Sequence, residues 1–308
     1  MIDTVRVSLK GKYRRKHLPL DWLPRKRSHI VEPEEGESYE VGTAIVQHHP
    51  TGLRLIGDSK YCSAVEVSLP RLIFPTNGHL IKTAEELNRA RARIIEIASE
   101  ICDLDPTQEN RVYRLDLVLN LPISPVTLFR VYRHFTPKRL HVDPIVYPGS
   151  GLFWKGSMLK CRLYDKHLHI TRKPGNVARL EWELLPRFMQ MNCPEHLDFQ
   201  KLDLEKCYAT YRSLSLGFKP KKILSKSLIP DLLALAERED FRPNGISFWD
   251  HFANSRHPKR VKQMMRQVIG RHLAFEDIDL EKLLPPQFKD APKVEVTARR
   301  GVKTVRPW

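Results

Sequence analysis

The sequence predicts an α+β fold, with an antiparallel β-sheet core covered by helices and a mainly helical C-terminal region. Three observations predict it. Apolar and polar residues alternate with period two over several short segments, as in strands with one covered face. A stripe of apolar residues at helical spacing, opened by a capping box, interrupts them. From about residue 195 strand-like alternation gives way to helical patterns.

Residues 2 to 9 read as the first strand, with Val5, Val7 and Leu9 on one face and Thr4, Arg6 and Ser8 on the other. A basic arm follows from Lys10 to His29. It includes Arg14, Arg15, Lys16, Arg25, Lys26 and Arg27 with Tyr13 and Trp22 interleaved, a composition suited to gripping phosphates and stacking bases. An acidic patch (Glu32, Glu34, Glu35, Glu37) separates the arm from short strands at 41–47 and 53–56. Residues 61 to 69 alternate again, with Val65, Val67 and Leu69 opposite Cys62, Ala64, Glu66 and Ser68. Thr83-Ala84-Glu85-Glu86 is the capping box, and Leu87, Ile94, Ile97, Ala98 and Ile101 form the stripe of the helix behind it. Residues 111 to 121 form the clearest strand, with Tyr113, Leu115, Leu117, Leu119 and Leu121 opposite Arg114, Asp116, Val118 and Asn120. A short helix is expected over 126–134, a hairpin over 153–170 turning near Gly156-Ser157, and a strand from Val177. Helices are expected at 228–239, 248–253 and 259–272. The domain reading is 1–194 as the strand-rich core with its basic arm, 195–285 as a helical region and 286–308 as a basic tail.

The net charge of +16 over 308 residues points to a polyanionic partner, most simply nucleic acid. Five cysteines lie far apart with no C-x-x-C pair, which argues for a reducing compartment and against a zinc cluster. No apolar run approaches the ~20 residues that span a bilayer, so no membrane partner and a cytoplasmic location are expected.

If the strands share one sheet with their leucines turned to the helices, the other face carries Glu66, Asp116, Tyr164 with Lys166, and Glu181 with Glu183. Carboxylates gathered in an open groove make a hard oxygen site suited to Mg²⁺ or Mn²⁺. A tyrosine beside a cation and such a site could attack a phosphodiester, with Lys166 helping to activate the Tyr164 phenol. Arg114, Arg162 and Arg179 accompany these residues as candidates for phosphate contacts, and Arg114 and Arg179 are equally placed to pair with Asp116 and Glu181. Lys259, Arg260 and Lys262 form a second basic cluster that could bind DNA. His167-Leu168-His169 matches the metal-binding pair of HUH nucleases. Strand alternation puts both histidines with Asp165, opposite Tyr164, which disfavours that alternative. A non-catalytic DNA-binding regulator is the other alternative, with the strands as a binding sheet.

In order along the chain, these residues resemble the replication initiators of filamentous phages, the gene II/X protein family, and their plasmid relatives. The matches are Met1-Ile2-Asp3, the segment from Val65 to Leu72 followed by Asn77-Gly78-His79, Arg114-Leu115-Asp116, Leu163-Tyr164-Asp165-Lys166-His167, and Arg179-Leu180-Glu181-Trp182-Glu183. Glu183 stands where that family often has a basic or polar residue. The resemblance covers roughly residues 1 to 190. It implies a nuclease core, which could divide into two RRM-like halves, and an initiator of rolling-circle replication. Such a protein binds origin DNA, nicks one strand through tyrosine and keeps the 5′ phosphate. It leaves a free 3′ hydroxyl and later rejoins the ends. By this resemblance Tyr164 is the nucleophile and Asp116 and Glu181 lead the metal ligands, with Glu66 and Glu183 behind them. Host helicase and single-strand-binding protein are implied as partners, and a homodimer is left open.

Overall fold

The computed structural model describes residues 1–220 apart from 15–17, 32–38, 59, 75–77, 108–109, 122–123, 134, 176 and 216. Lys259, Arg260, Lys262 and the expected helices after residue 228 lie outside the described residues. The fold is α+β, and the chain divides into two compact units. Among the described residues, one contains Ile2–Leu115 and Met189–Leu204; the other contains Met1, Asp116–Phe188 and residues 205–220.

The first unit holds strands β1 (Ile2–Tyr13), β2 (Trp22–Val31), β3 (Tyr39–His48), β4 (Arg54–Gly57), β5 (Tyr61–Ser68) and β6 (Cys102–Leu104). Their order is β2-β3-β4-β5-β1, with β6 also on β1. The pairings β1–β5, β1–β6, β2–β3, β3–β4 and β4–β5 are all antiparallel. Val5, Val7 and Leu9 are buried, as their alternation requires. Two helices, α1 (Pro70–Ile73) and α2 (Ala84–Ser99), belong to this unit. The capping box of α2 is complete: the Glu86 amide donates to Thr83 Oγ1 and the Thr83 amide donates to Glu86 Oε2, each at 3.2 Å. Leu87, Ile94, Ile97 and Ala98 are the buried stripe.

The expected basic arm is in part regular structure. β1 extends to Tyr13, and Arg25, Lys26 and Arg27 stand on β2, paired through the backbone with Ile45, Ala44 and Thr43 of β3. Arg14 Nε donates to Asp103. Arg15 and Lys16 lie outside the described residues.

Strand β7 (Val112–Leu121) begins in the first unit and continues into the second. The second unit adds α3 (Pro125–Tyr132), β8 (Phe135–Pro137), β9 (Ile145–Tyr147), β10 (Gly151–Lys155), β11 (Leu159–Asp165), α4 (Lys166–Thr171) and β12 (Ala178–Leu184). Beyond α5 (Pro186–Asn192) come α6 (Leu204–Ser215) and β13 (Phe218–Pro220). The sheet order in this unit is β7-β12-β11-β10-β9, while β8 pairs with β13. One face is apolar and covered. Leu152, Trp154, Leu159, Cys161, Leu163, Leu180, Trp182 and Leu184 are all buried. Helix α6 lies on it, with the Tyr211 hydroxyl donating to Leu180 O at 3.3 Å and Trp182 Nε1 donating to Ser215 Oγ at 2.9 Å. Tyr211 is thus a packing residue. The opposite face carries the polar residues. Among the described residues no helix is long and apolar enough to cross a membrane.

Candidate functional site around Tyr164

Antiparallel registry builds the site. Directly paired residues of neighbouring strands share a face, so a polar residue on one strand meets its partner on the next. On β11, Leu159, Cys161, Leu163 and Asp165 are buried, whereas Lys160, Arg162 and Tyr164 are half-buried on the other face. Registry sets Lys160 opposite Glu183, Arg162 opposite Glu181 and Tyr164 opposite Arg179.

The side chains follow that registry closely. The Tyr164 hydroxyl donates to Glu181 Oε2 at 3.0 Å. Arg162 donates through Nη1 to Glu181 Oε1 at 2.6 Å and through Nη2 to Glu183 Oε2 at 2.8 Å. Lys160 Nζ donates to Glu183 Oε1. Phe153 of β10 lies under Arg162, with the guanidinium carbon 5.2 Å from the ring centroid. Burial works against the Arg162 charge, but Glu181, Glu183 and Asp116 together outweigh it and raise its pKa. Asp116 is 2% exposed. It shares its face of β7 with Asn120, four residues on, and Asn120 bonds to Arg179 on β12.

Several expectations need correction. Lys166 does not continue the strand beside Tyr164. Asp165 ends β11 by accepting the Leu168 amide at 2.8 Å, so Lys166 opens α4 and is 4% exposed. The strand reading of His167 and His169 fails for the same reason. On a helix, residues two apart point in different directions and do not form a chelating pair. His167 Nδ1 lies 3.1 Å from Thr171 Oγ1 and 3.0 Å from Lys173 O. His169 instead meets Tyr164, ring centroids 5.2 Å apart and edge to face. Burial, with Lys166 and Arg172 nearby, lowers the His169 pKa.

Arg179, expected among the phosphate contacts, has no exposed surface. Its Nε donates to Asn120 Oδ1 at 2.8 Å. Glu66 and Arg114 belong to the first unit, where Glu66 pairs with Arg54 at 3.4 Å and Arg114 at 3.9 Å. Sequence reading also missed the role of Arg162, which bridges two carboxylates. The available signal was its direct registry with Glu181, visible once the Tyr164 strand is paired with the strand that follows α4.

The four carboxylate oxygens of Glu181 and Glu183 each accept from a protein donor. Among the described residues no three His, Cys, Asp or Glu side chains are placed to hold a metal ion. As arranged, the residues fit an internal cation, the Arg162 guanidinium, and not a divalent metal. Chemically, the site offers a phenol bonded to a carboxylate, with a partly exposed guanidinium beside them.

No family model matches the sequence, and no curated protein matches it. Among solved structures, a rolling circle replication initiator protein from Geobacillus stearothermophilus is similar at 12% identity. The match covers 73% of this chain and 88% of that one, with a TM-score of 0.35.

Proposed function

We propose that the chain is a tyrosine-dependent DNA nickase and strand transferase that initiates rolling-circle replication. The observation that carries this reading is the hydrogen bond from the Tyr164 hydroxyl to Glu181, made beside Arg162. A free phenol, with a pKa near ~10, is a weak nucleophile at neutral pH and needs a base within hydrogen-bond reach. Glu181 is such a base. The net charge of +16 and the ordered motif resemblance supply the substrate class.

In this reaction Glu181 takes the phenol proton as Tyr164 Oη bonds to the scissile phosphorus. The bond from phosphorus to the 3′ oxygen breaks, and that oxygen gains a proton from water. The products are a 5′-phosphotyrosyl link and a free 3′ hydroxyl. Arg162 places positive charge where the phosphoryl oxygens gather negative charge. Attack by a 3′ hydroxyl on the phosphotyrosine reverses the step and rejoins a strand. A Mg²⁺ or Mn²⁺ ion, which the sequence led us to expect, would add charge at the phosphate but would have to share or displace the donors that Glu181 and Glu183 already hold, Arg162, Lys160 and the Tyr164 hydroxyl. Origin DNA is the proposed partner. Host helicase, single-strand-binding protein and self-association follow from the resemblance alone.

The test is incubation with Mg²⁺ and supercoiled DNA carrying the chain's own origin. Open circles and a covalent adduct are expected from the wild type and neither from Tyr164→Phe. Wild type and Tyr164→Phe behaving alike overturns the reading.

A further inference from the structure

We propose that His169 is a positioning residue, which holds the Tyr164 ring so that its hydroxyl stays on Glu181. The inference deepens the nickase reading and rests on it for the identity of the nucleophile. Registry shows why Tyr164 needs support. Its row partner on β10 is Gly151 and its row partner on β12 is Arg179. Glycine has no side chain, so its row partner on β10 gives the Tyr164 ring nothing to rest against. Glu181 lies one row away, opposite Arg162. The Tyr164 side chain must therefore lean along the sheet to place its hydroxyl 3.0 Å from Glu181 Oε2. A tyrosine turns about two side-chain bonds, and the other staggered positions carry the hydroxyl away from that carboxylate.

Helix α4 supplies the support. The His169 and Tyr164 rings meet edge to face, with centroids 5.2 Å apart and an interplanar angle of 66°. Aromatic rings favour this arrangement because the positive edge of one faces the negative π face of the other. The turn of the chain fixes His169 there. The buried Asp165 carboxylate accepts the Leu168 amide at 2.8 Å through one oxygen and the Gly175 amide at 3.0 Å through the other. At the far end of α4 the Arg172 amide donates to Leu168 O at 2.9 Å. Both ends of this six-residue helix are thus tied, and His169 lies between them.

The phenol donates its proton to Glu181, so the part left to His169 is support of the ring. The His169 side chain is exposed, and substitution of an exposed residue disturbs a fold little. The contact with Tyr164 can therefore be removed without removing the sheet beneath it.

The test compares wild type, His169→Ala and His169→Phe, with tyrosine labelled by ¹³C at Cζ, whose shift follows the hydrogen bond of the hydroxyl. One arm is the NMR spectrum of the full-length protein alone, in which the Tyr164 signal is the one absent from Tyr164→Phe. That signal is expected to move in His169→Ala and to return in His169→Phe, which keeps a ring edge without an imidazole. The other tyrosine signals should stay in place. Should they shift in His169→Ala, His169→Leu, which keeps bulk without the ring edge, takes its place. The second arm is single-turnover adduct formation with Mg²⁺ and supercoiled DNA carrying the chain's own origin. His169→Ala is expected to slow it about tenfold, the scale of a displaced reacting group, with affinity for the same DNA changed less than about twofold. His169→Phe is expected to restore the rate with the pH profile of the wild type. A Tyr164 signal that stays in place in His169→Ala overturns the proposal. So does a His169→Phe form as slow as His169→Ala, which assigns the imidazole itself to proton transfer. The two claims fail separately. A wild type that forms no adduct while the Tyr164 signal moves and returns keeps the support of the ring and discards the nucleophile. An active wild type whose signal and rate ignore His169 does the reverse.

Discussion

At the residue scale, the proposed reaction gives Tyr164 and Glu181 different parts, and substitution separates them. On that proposal Tyr164→Phe removes the bond-forming oxygen, so no adduct should form. It also removes the donor to Glu181 Oε2, at a cost of ~1 kcal/mol in stability by denaturant titration. Glu181→Gln keeps the shape and loses the base, so single-turnover adduct formation should slow about 10²- to 10⁴-fold. An unchanged rate would remove Glu181 from the chemistry. His169 gives a pH prediction. Its pKa is lowered in the folded chain, so the folded state binds fewer protons than the unfolded one. The stability this contributes is present above the ordinary histidine pKa of 6.5 and is lost as pH falls through the lowered value. Denaturation at about pH 8 and about pH 5 should show weaker folding at the acid end, and His169→Asn should reduce the difference. The placement of Tyr164, Glu181 and Asp116 on the polar faces of their strands was legible because those strands alternate. Lys166 was misread because the strand alternation continues past Asp165, whose capping role depends on the chain turning there. Arg179 was misread because its partner, Asn120, lies 59 residues away on another strand, and no local pattern distinguishes a buried arginine from a solvated one.

At the element scale, the site depends on the register of β10, β11 and β12. Gly151 pairs with Tyr164, and a Cβ there would lie 2.7 Å from Leu163 O and 3.1 Å from Tyr164 Cβ. Gly151→Ala must therefore move β10 or β11. We expect it to destabilise the fold by ~1–3 kcal/mol and to slow adduct formation more than oligonucleotide binding. Melting and activity unchanged from wild type would show that the register tolerates the methyl group. Helix α2, β1, β5, β7 and β12 were legible from period and capping, because each buries an apolar face of its own. Strand β2 was not, since Arg25, Lys26 and Arg27 interrupt its alternation and its registry is set by the ladder with β3. Strand β9 escaped notice because three exposed residues carry no period.

At the scale of the whole molecule, the excess of cations predicts DNA binding that weakens steeply with salt. Oligonucleotide affinity should fall at least about tenfold between about 50 and 200 mM salt as condensed ions compete for the phosphates. A salt-independent affinity would assign the charge to another purpose. The α+β class was legible because it needs only the count and type of elements. The division into two units, with 189–204 joined to the first, was not, because it depends on contacts between segments distant in the chain. The central claim, that Tyr164 becomes bonded to a 5′ phosphate, has a direct test. Wild type is incubated with a random pool of single-stranded oligonucleotides labelled at the 3′ end, and the adduct is digested and mapped by mass spectrometry. The account predicts 3′ label on the protein and a nucleotide on the peptide containing Tyr164. A nucleotide on any other residue, or label that joins the protein only from the 5′ end, would contradict it.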